Sequence, residues 1–467
     1  MESQIAHFHA ALDARPVSRP QWLMLLMLVF LLVTDGYDAQ VISYIVPVLS
    51  QEWGLPPAAF GPVFSANLLG LTIGALLVTP LGDRFGIRRV LLLCVSLYAC
   101  LTVMMVFAWN IPSLMAMRFI CGLGMGAAMP STMALMAEYA PPRLRTVMVT
   151  MAAAGYSIGG MLGGFVAALA MDRFGWQSIF LAGGVVPLVL LPFLVRYLPE
   201  SLSHLFSDAP PYARLMKITR RFMPDWTVPA AALDASRATT GQTSSKMPVL
   251  NLFRHGWARP TLLIWGTFFS SLILTYFYLS WLPVLLKQSG MTLNAANAST
   301  SLFLLSGVIG AVIMSYLADR LQNKTRILGL MLFGAALATV LIGLNQGHMG
   351  WLVFFVLTAG FCIIGGQLML NSFTSSFYPT YARATGIGWA MGIGRFGSIL
   401  APLVGSMLLA TETPVDKIFF VFVVPAVTAM LLIVQVRKPS EPGEPPRDQS
   451  ESIGEMRSKL RCKNNPA

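Results

Sequence analysis

Two aspartates three residues apart, Asp35 and Asp38, stand in an otherwise apolar run near the start of the chain. Residues three apart on a helix share a face. Carboxylates held together away from water can take up and release a proton. Two arginines, Arg118 and Arg395, also interrupt apolar runs. A guanidinium keeps its charge and grips a carboxylate through two parallel hydrogen bonds. Charges embedded in this way are costly, and they mark a pathway or pair with one another. Two acids and two guanidiniums are the groups needed to move an organic anion together with a proton. A plainer reading has one aspartate neutralising Arg118 and doing nothing else. That reading is harder to apply to Arg395, because its own apolar run holds no acid.

The elements that must position these groups follow from composition. Of the 467 residues, 55% are hydrophobic and 11% charged, against roughly 25% charged in an ordinary soluble domain. A water-soluble fold could not cover that much apolar surface. Runs of about 20 apolar residues, enough to cross a bilayer as a helix, recur along the chain. We read twelve, at 22–48, 62–82, 88–109, 112–137, 145–170, 177–196, 260–286, 298–318, 326–344, 351–374, 384–409 and 416–436. The fold class is therefore an all-α integral membrane protein. Its expected parts are an N-terminal segment 1–21, a six-helix bundle 22–196, a central loop 197–259, a second six-helix bundle 260–436 and a disordered tail 437–467. In the central loop, Tyr212 to Met223 sets four cations among Leu215, Ile218 and Phe222. That pattern predicts a short amphipathic helix on the membrane surface.

The basic residues set the orientation, since cytoplasmic loops carry the excess of Lys and Arg. Of the 32 Lys and Arg, only Arg173, Lys287 and Lys417 fall on the side away from the termini, while Arg118 and Arg395 lie within spans. Both termini are thus expected in the cytoplasm. The net charge of +12 is explained by this topology and calls for membrane lipids, not nucleic acid, as its partner. Counted at 1.5 Å per residue, Asp35 and Asp38 lie roughly 20–24 Å into the first span, and Arg118 and Arg395 reach a similar depth. Tyr276 and Gln367 lie about 24 Å into theirs. With Tyr156, Tyr278 and Asn371 they are candidates to line a cavity between the bundles, where an aromatic ring finds stacking and hydrogen-bonding partners.

The two halves repeat. Asp83-Arg84 follows the second span and Asp319-Arg320 the eighth; Pro141 with Arg145 precedes the fifth, and Pro379 with Arg383 the eleventh. Such six-helix repeats place a site at their interface, near the middle of the membrane. The loop Thr79-Pro-Leu-Gly-Asp-Arg-Phe-Gly-Ile-Arg-Arg resembles the signature loop of the major facilitator superfamily through Asp83, Arg84, Gly86, Arg88 and Arg89. Thr79 stands where that pattern usually has Gly. Arg118 to Pro130 resembles the fourth-helix pattern of proton-coupled members.

Asp35-Gly36-Tyr37-Asp38, together with Tyr378 to Gly386 and Gly394 to Gly397, is similar to the signatures of the aromatic acid:proton symporter family. That resemblance implies a bacterial inner-membrane transporter importing benzoate-like or hydroxybenzoate-like acids with protons. In that reading Asp35, Asp38 and Arg118 couple the proton, with a slight preference for Asp38 as its carrier. Arg395, Tyr276, Gln367 and Asn371 hold the substrate. Asp83, Arg84, Gly86, Arg88, Arg89, Glu138, Arg145, Asp319 and Arg383 form the gating network, although for Glu138 a local helix-end role serves as well.

Other functions are less well supported. A non-aromatic acid such as muconate would use the same groups. A receptor would need a signalling domain, and none accompanies the spans. An efflux antiporter would carry proline among Gly155, Gly159, Gly160, Gly163 and Gly164, and none is there. No nucleophile–base arrangement, phosphate loop or metal spacing points to an enzyme, so neither cofactor nor metal is expected. A small organic anion, protons and lipid are the expected partners of a monomer.

Overall fold

The computed structural model describes residues 12–207, 252–253, 256–321, 323–378 and 383–437. The expected tail beyond Arg437, most of the central loop and the segment Tyr212 to Met223 lie outside the described residues. So do the side chains of Asp83, Asp319 and Arg383.

Among the described residues, twelve helices are long and apolar enough to cross a membrane. They are α1 (Arg19–Glu52), α2 (Pro57–Gly82), α3 (Ile87–Phe107), α4 (Ile111–Tyr139), α5 (Pro142–Phe174), α6 (Gln177–Tyr197), α7 (Ala258–Gln288), α8 (Leu293–Ala318), α9 (Lys324–Leu344), α10 (Met349–Phe377), α11 (Thr385–Ala410) and α12 (Val415–Val434). A short helix, Leu202–Ser207, follows α6.

Their limits follow local chemistry. At the start of α1, Gln21 Oε1 accepts from the Ser18 backbone N–H at 2.8 Å. Its Nε2 then donates to the Tyr139 carbonyl at 2.8 Å, tying α1 to the end of α4. Asn110 Oδ1 accepts from the Ser113 N–H at 2.8 Å and caps α4, satisfying a donor that no turn of helix can. Gly86, at φ +96°, turns the chain into α3 through a conformation that disfavours any side chain.

Two sets of six helices pack chiefly within themselves. In the first, α1 lies against α5, and α2 and α3 against α4; in the second, α7 lies against α11, α8 against α10 and α9 against α12. Small residues permit the closest crossings. A Cβ on Gly36 would stand 1.8 Å from the Tyr156 carbonyl oxygen, so α1 and α5 touch backbone to backbone there. Leu76, Leu93, Leu169, Phe193, Leu330 and Met407 are exposed, as expected where the solvent is lipid.

The sets meet along α1–α7, α2–α11 and α5–α8. This seam closes toward the end opposite the termini. Ser65 Oγ donates to the Ile399 carbonyl at 2.8 Å and Ser406 Oγ to that of Ala58 at 2.6 Å. Gln40 Nε2 donates to Leu279 O at 3.1 Å, and Lys287 Nζ to Pro47 O at 3.3 Å. Nearer the termini the sets part. On α11, Gly388 and Gly392 share the face that carries Arg395. Among the described residues, no atom beyond their own stretch of helix lies within 4 Å of where their Cβ would be.

Candidate functional site

The two aspartates of α1 occupy different environments. Asp38, fully buried, faces Arg118 of α4, which is also fully buried. Arg118 Nη1 donates to Asp38 Oδ2 at 3.3 Å and to its backbone carbonyl at 2.9 Å. Thr102 Oγ1 of α3 donates to Asp38 Oδ1 at 2.8 Å, and the Cys121 thiol reaches Oδ2 at 3.3 Å. The guanidinium also lies over the Phe180 ring, 5.3 Å from its centroid. Both carboxylate oxygens of Asp38 are thus engaged, by groups on two other helices. Asp35, one turn earlier and 2% exposed, is different. Its Oδ1 is buried with no hydrogen-bond partner among the described residues.

Charge balance separates the two further. Arg118 and Asp38 cancel, so an ionised Asp35 would be a buried charge with no cation to offset it. Isolated charges in a low-dielectric interior are costly. The geometry therefore gives Arg118 to Asp38 and leaves Asp35 without an ion-pair partner among the described residues.

Across the seam, Arg395 of α11 points its Nη1 at the Tyr276 hydroxyl of α7, at 3.4 Å. Among the described residues no carboxylate lies within ion-pairing distance of Arg395. Tyr156 of α5 lines a small cavity together with Tyr276, and its backbone carbonyl lies against Gly36, the residue after Asp35. On α10, Gln367 Oε1 accepts from Ser271 Oγ at 2.7 Å. Asn371, one turn on, has a buried Oδ1 with no partner among the described residues. Tyr278, in contrast, is a core residue. It is stacked on Phe303 at 5.3 Å, and its hydroxyl lies 3.0 Å from that of Thr339.

The expected gating residues gather at the end nearer the termini, but with one member that sequence reading omits. The Glu200 carboxylate, just beyond α6, accepts from the Arg88 backbone N–H at 3.0 Å and sits over Gly86, where a Cβ would stand 2.7 Å from its Oε2. A carboxylate at the start of α3 suits the partial positive charge of a helix N-terminus. Glu138 accepts from Ser201 Oγ at 2.8 Å and from the Leu202 N–H at 2.7 Å, so it caps the short helix. The Arg88 guanidinium donates to the Val195 carbonyl, Arg84 lies over the Phe85 ring at 5.3 Å, Arg89 is exposed, and Arg145 is half-buried at the start of α5. Thr102, Cys121 and Glu200 are the additions to the expected set. Only Glu200 leaves a trace in the sequence, as an acid directly before a helix start.

A family model described as the Major Facilitator Superfamily matches residues 28–402. The gallate transporter of Pseudomonas putida is 38% identical over 427 residues, covering 91% of this chain and 93% of that one. The 4-hydroxybenzoate transporter PcaK of Pseudomonas aeruginosa is 36% identical over 425 residues, 91% of this chain and 94% of that one. Among solved structures, the chain is similar in fold to a bacterial homolog of the human lysosomal transporter Spinster in an inward-facing, unoccupied conformation. The TM-score is 0.72 at 14% identity, with 90% of this chain and 98% of that one covered.

Proposed function

The chain belongs to the major facilitator superfamily and is a transporter, not an enzyme; from that premise we propose that it imports an aromatic carboxylate together with protons. One observation carries the reading. Among the described residues, Arg395 has no carboxylate within ion-pairing distance and rests against the Tyr276 hydroxyl, and Asp35 has a buried Oδ1 with no hydrogen-bond partner. The first group suits an organic anion and the second suits a proton. The aromatic nature of the anion is supported by relatives whose names specify gallate and 4-hydroxybenzoate and by the tyrosines beside Arg395.

The cycle has four parts. The substrate carboxylate binds Arg395, which gives up its contact with Tyr276 for two stronger charged ones. Asp35 takes a proton, because the anion adds negative charge to a region that already holds the Asp38–Arg118 pair. Anion and proton enter together, so the net charge of the cavity is unchanged while Arg395 is now paired and Asp35 neutral, and the two bundles rock about it. On the far side water returns, Asp35 releases its proton and the acid leaves. The basic residues support cytoplasmic termini in a bacterial inner membrane. The seam closed away from the termini is then an inward-facing state. The carrier is Asp35 and not Asp38, against the sequence-based preference, because Asp38 is committed to Arg118.

The test is uptake of radiolabelled benzoate and 4-hydroxybenzoate into proteoliposomes, with and without an inward proton gradient and with muconate as competitor. Accumulation of the aromatic acids that depends on the gradient is expected. Uptake of neither aromatic acid, or uptake that does not depend on the gradient, overturns the proposal.

A further inference from the structure

The guanidinium of Arg118 is only partly used by Asp38. Its Nη1 makes both contacts, to the Asp38 carboxylate at 3.3 Å and to the Asp38 carbonyl at 2.9 Å. Nε and Nη2 are buried with no hydrogen-bond partner among the described residues. A guanidinium carries its N–H donors in a planar fork, and a carboxylate that meets it squarely engages two nitrogens at once. Here one nitrogen is engaged and the side chain is 0% exposed, so bulk water does not supply the remainder.

What lies against the guanidinium is an aromatic ring. Arg118 Cζ stands over Phe180 of α6, 5.3 Å from the ring centroid, within the range at which a cation is drawn to the negative face of a ring. Phe180 is itself fully buried and held in place. Trp176 meets it edge to face at 6.0 Å, and the Trp176 indole N–H donates to the Glu52 carboxylate at 2.6 Å. Tyr37, the residue before Asp38, donates its hydroxyl at 3.1 Å to the carbonyl of Ile179, the residue before Phe180. The ring is therefore fixed relative both to the arginine and to the turn of α1 that carries the two acids.

That turn offers Arg118 two carboxylates. Asp35 and Asp38 are about 4.5 Å apart along the axis of α1, a distance that a long side chain covers by rotating its terminal bonds. An ionised Asp35 would attract the guanidinium. Sharing it between both carboxylates lowers the free energy of the doubly ionised state and weakens the hold of Asp35 on a proton. Confining it to Asp38 prevents this. The other titratable groups packed at this turn are Tyr37 within it, Tyr98 of α3 at 3.1 Å from the Thr34 hydroxyl, with Cys94 one turn before it, Cys121 of α4, and Tyr156 of α5 against Gly36. Thiols and phenols ordinarily ionise at about 8.5 and 10, and neither is a cation, so among these groups Arg118 alone can draw Asp35 into an ion pair.

We propose that Phe180 is a positioning residue: its ring face holds the Arg118 guanidinium on Asp38 and away from Asp35, which leaves Asp35 free to load a proton. The inference rests on the reading that Asp35 carries the coupling proton.

The test places mono-, di- and trifluorinated phenylalanine at position 180 of the full chain, which weakens the negative ring face stepwise and changes its volume little. Uptake of radiolabelled 4-hydroxybenzoate into proteoliposomes is followed at external pH between about 5 and 8, with the internal pH fixed, alongside a thermal melt. Each fluorine should move the midpoint of the pH profile downward, by about one unit in all for the trifluorinated ring, with a nearly unchanged melting temperature. Phe180→Leu, which removes the ring face, should move it at least as far, and Phe180→Trp, which keeps one, should hold it near its original place. If either of these does not fold, the fluorinated series decides. In Asp35→Asn the fluorinated rings should leave counterflow unaltered at every pH.

A midpoint that stays in place across the fluorinated series, with or without a fall in melting temperature, overturns the inference and makes Phe180 a packing residue. So does a shift to higher pH, or counterflow in Asp35→Asn that changes with fluorination. Uptake by the unaltered protein that does not vary with pH refutes the proton-coupling reading itself, and the inference falls with it.

Discussion

Replacing each aspartate of α1 by asparagine should give opposite failures. In Asp38→Asn, Arg118 keeps its charge, and the fully buried guanidinium loses the carboxylate at 3.3 Å. Removing one partner of a buried pair costs about 3–5 kcal/mol, a large share of the roughly 5–15 kcal/mol by which proteins are stable. The donor bonds from Thr102 and Cys121 become weaker as well. Low yield and a marked fall in melting temperature are expected in detergent. In Asp35→Asn, no ion pair is lost and Oδ1 gives up no bond, so the change in stability should stay within about 1 kcal/mol. Transport shows the reverse pattern. One proton per substrate under a gradient of one pH unit supports about tenfold accumulation, equivalent to about 1.4 kcal/mol. Asp35→Asn should bring that ratio to about one while preserving exchange of labelled for unlabelled substrate, because the amide mimics the protonated acid. The assay is uptake and counterflow in one proteoliposome preparation, alongside a thermal melt. Tenfold accumulation by Asp35→Asn, or unchanged stability in Asp38→Asn, would refute the division of roles.

Arg395→Gln should weaken binding of the acid by roughly 1.5–3 kcal/mol, the range for a hydrogen bond to a charged group, with a nearly unchanged melting temperature; equal affinity measured by calorimetry would exclude the arginine from the site. Gly36→Ala forces a Cβ to within 1.8 Å of the Tyr156 carbonyl, so α1 and α5 must separate, at a cost of about 1–3 kcal/mol visible as a lower melting temperature. Glu200→Ala removes the acceptor at the start of α3, and about 1 kcal/mol of stability is expected to go with it while substrate affinity holds. Cysteine labelling of the tail should reach a single-Cys variant only from the cytoplasmic side.

The sequence carries the helices plainly, because length and hydrophobicity alone select a membrane span. It also marks Asp35, Asp38, Arg118 and Arg395, since charge in an apolar run is conspicuous. It does not tell which aspartate Arg118 holds. Side chains three apart differ by about 60° around a helix, so either could face α4, and only the packing of α1 against α3 and α4 separates them. Thr102 and Cys121 are invisible for a related reason: both are common in ordinary helix packing, and their role exists only relative to Asp38.

The seam has a consequence for how this transporter can change over generations. Of the hydrogen bonds described across it, those from Gln40, Ser65, Lys287 and Ser406 all end on backbone carbonyls. Every residue type supplies that acceptor, so the receiving helices of the closure are indifferent to their own side chains at these points and free to drift. Heritable control lies with the donors alone. Each serine hydroxyl can be removed or restored by a single substitution worth about 1 kcal/mol, about a fivefold step in the balance between closed and open forms. The lineage thus holds a set of small, independent adjustments to its resting conformation, none of which touches the buried acids or the arginine that meets the substrate.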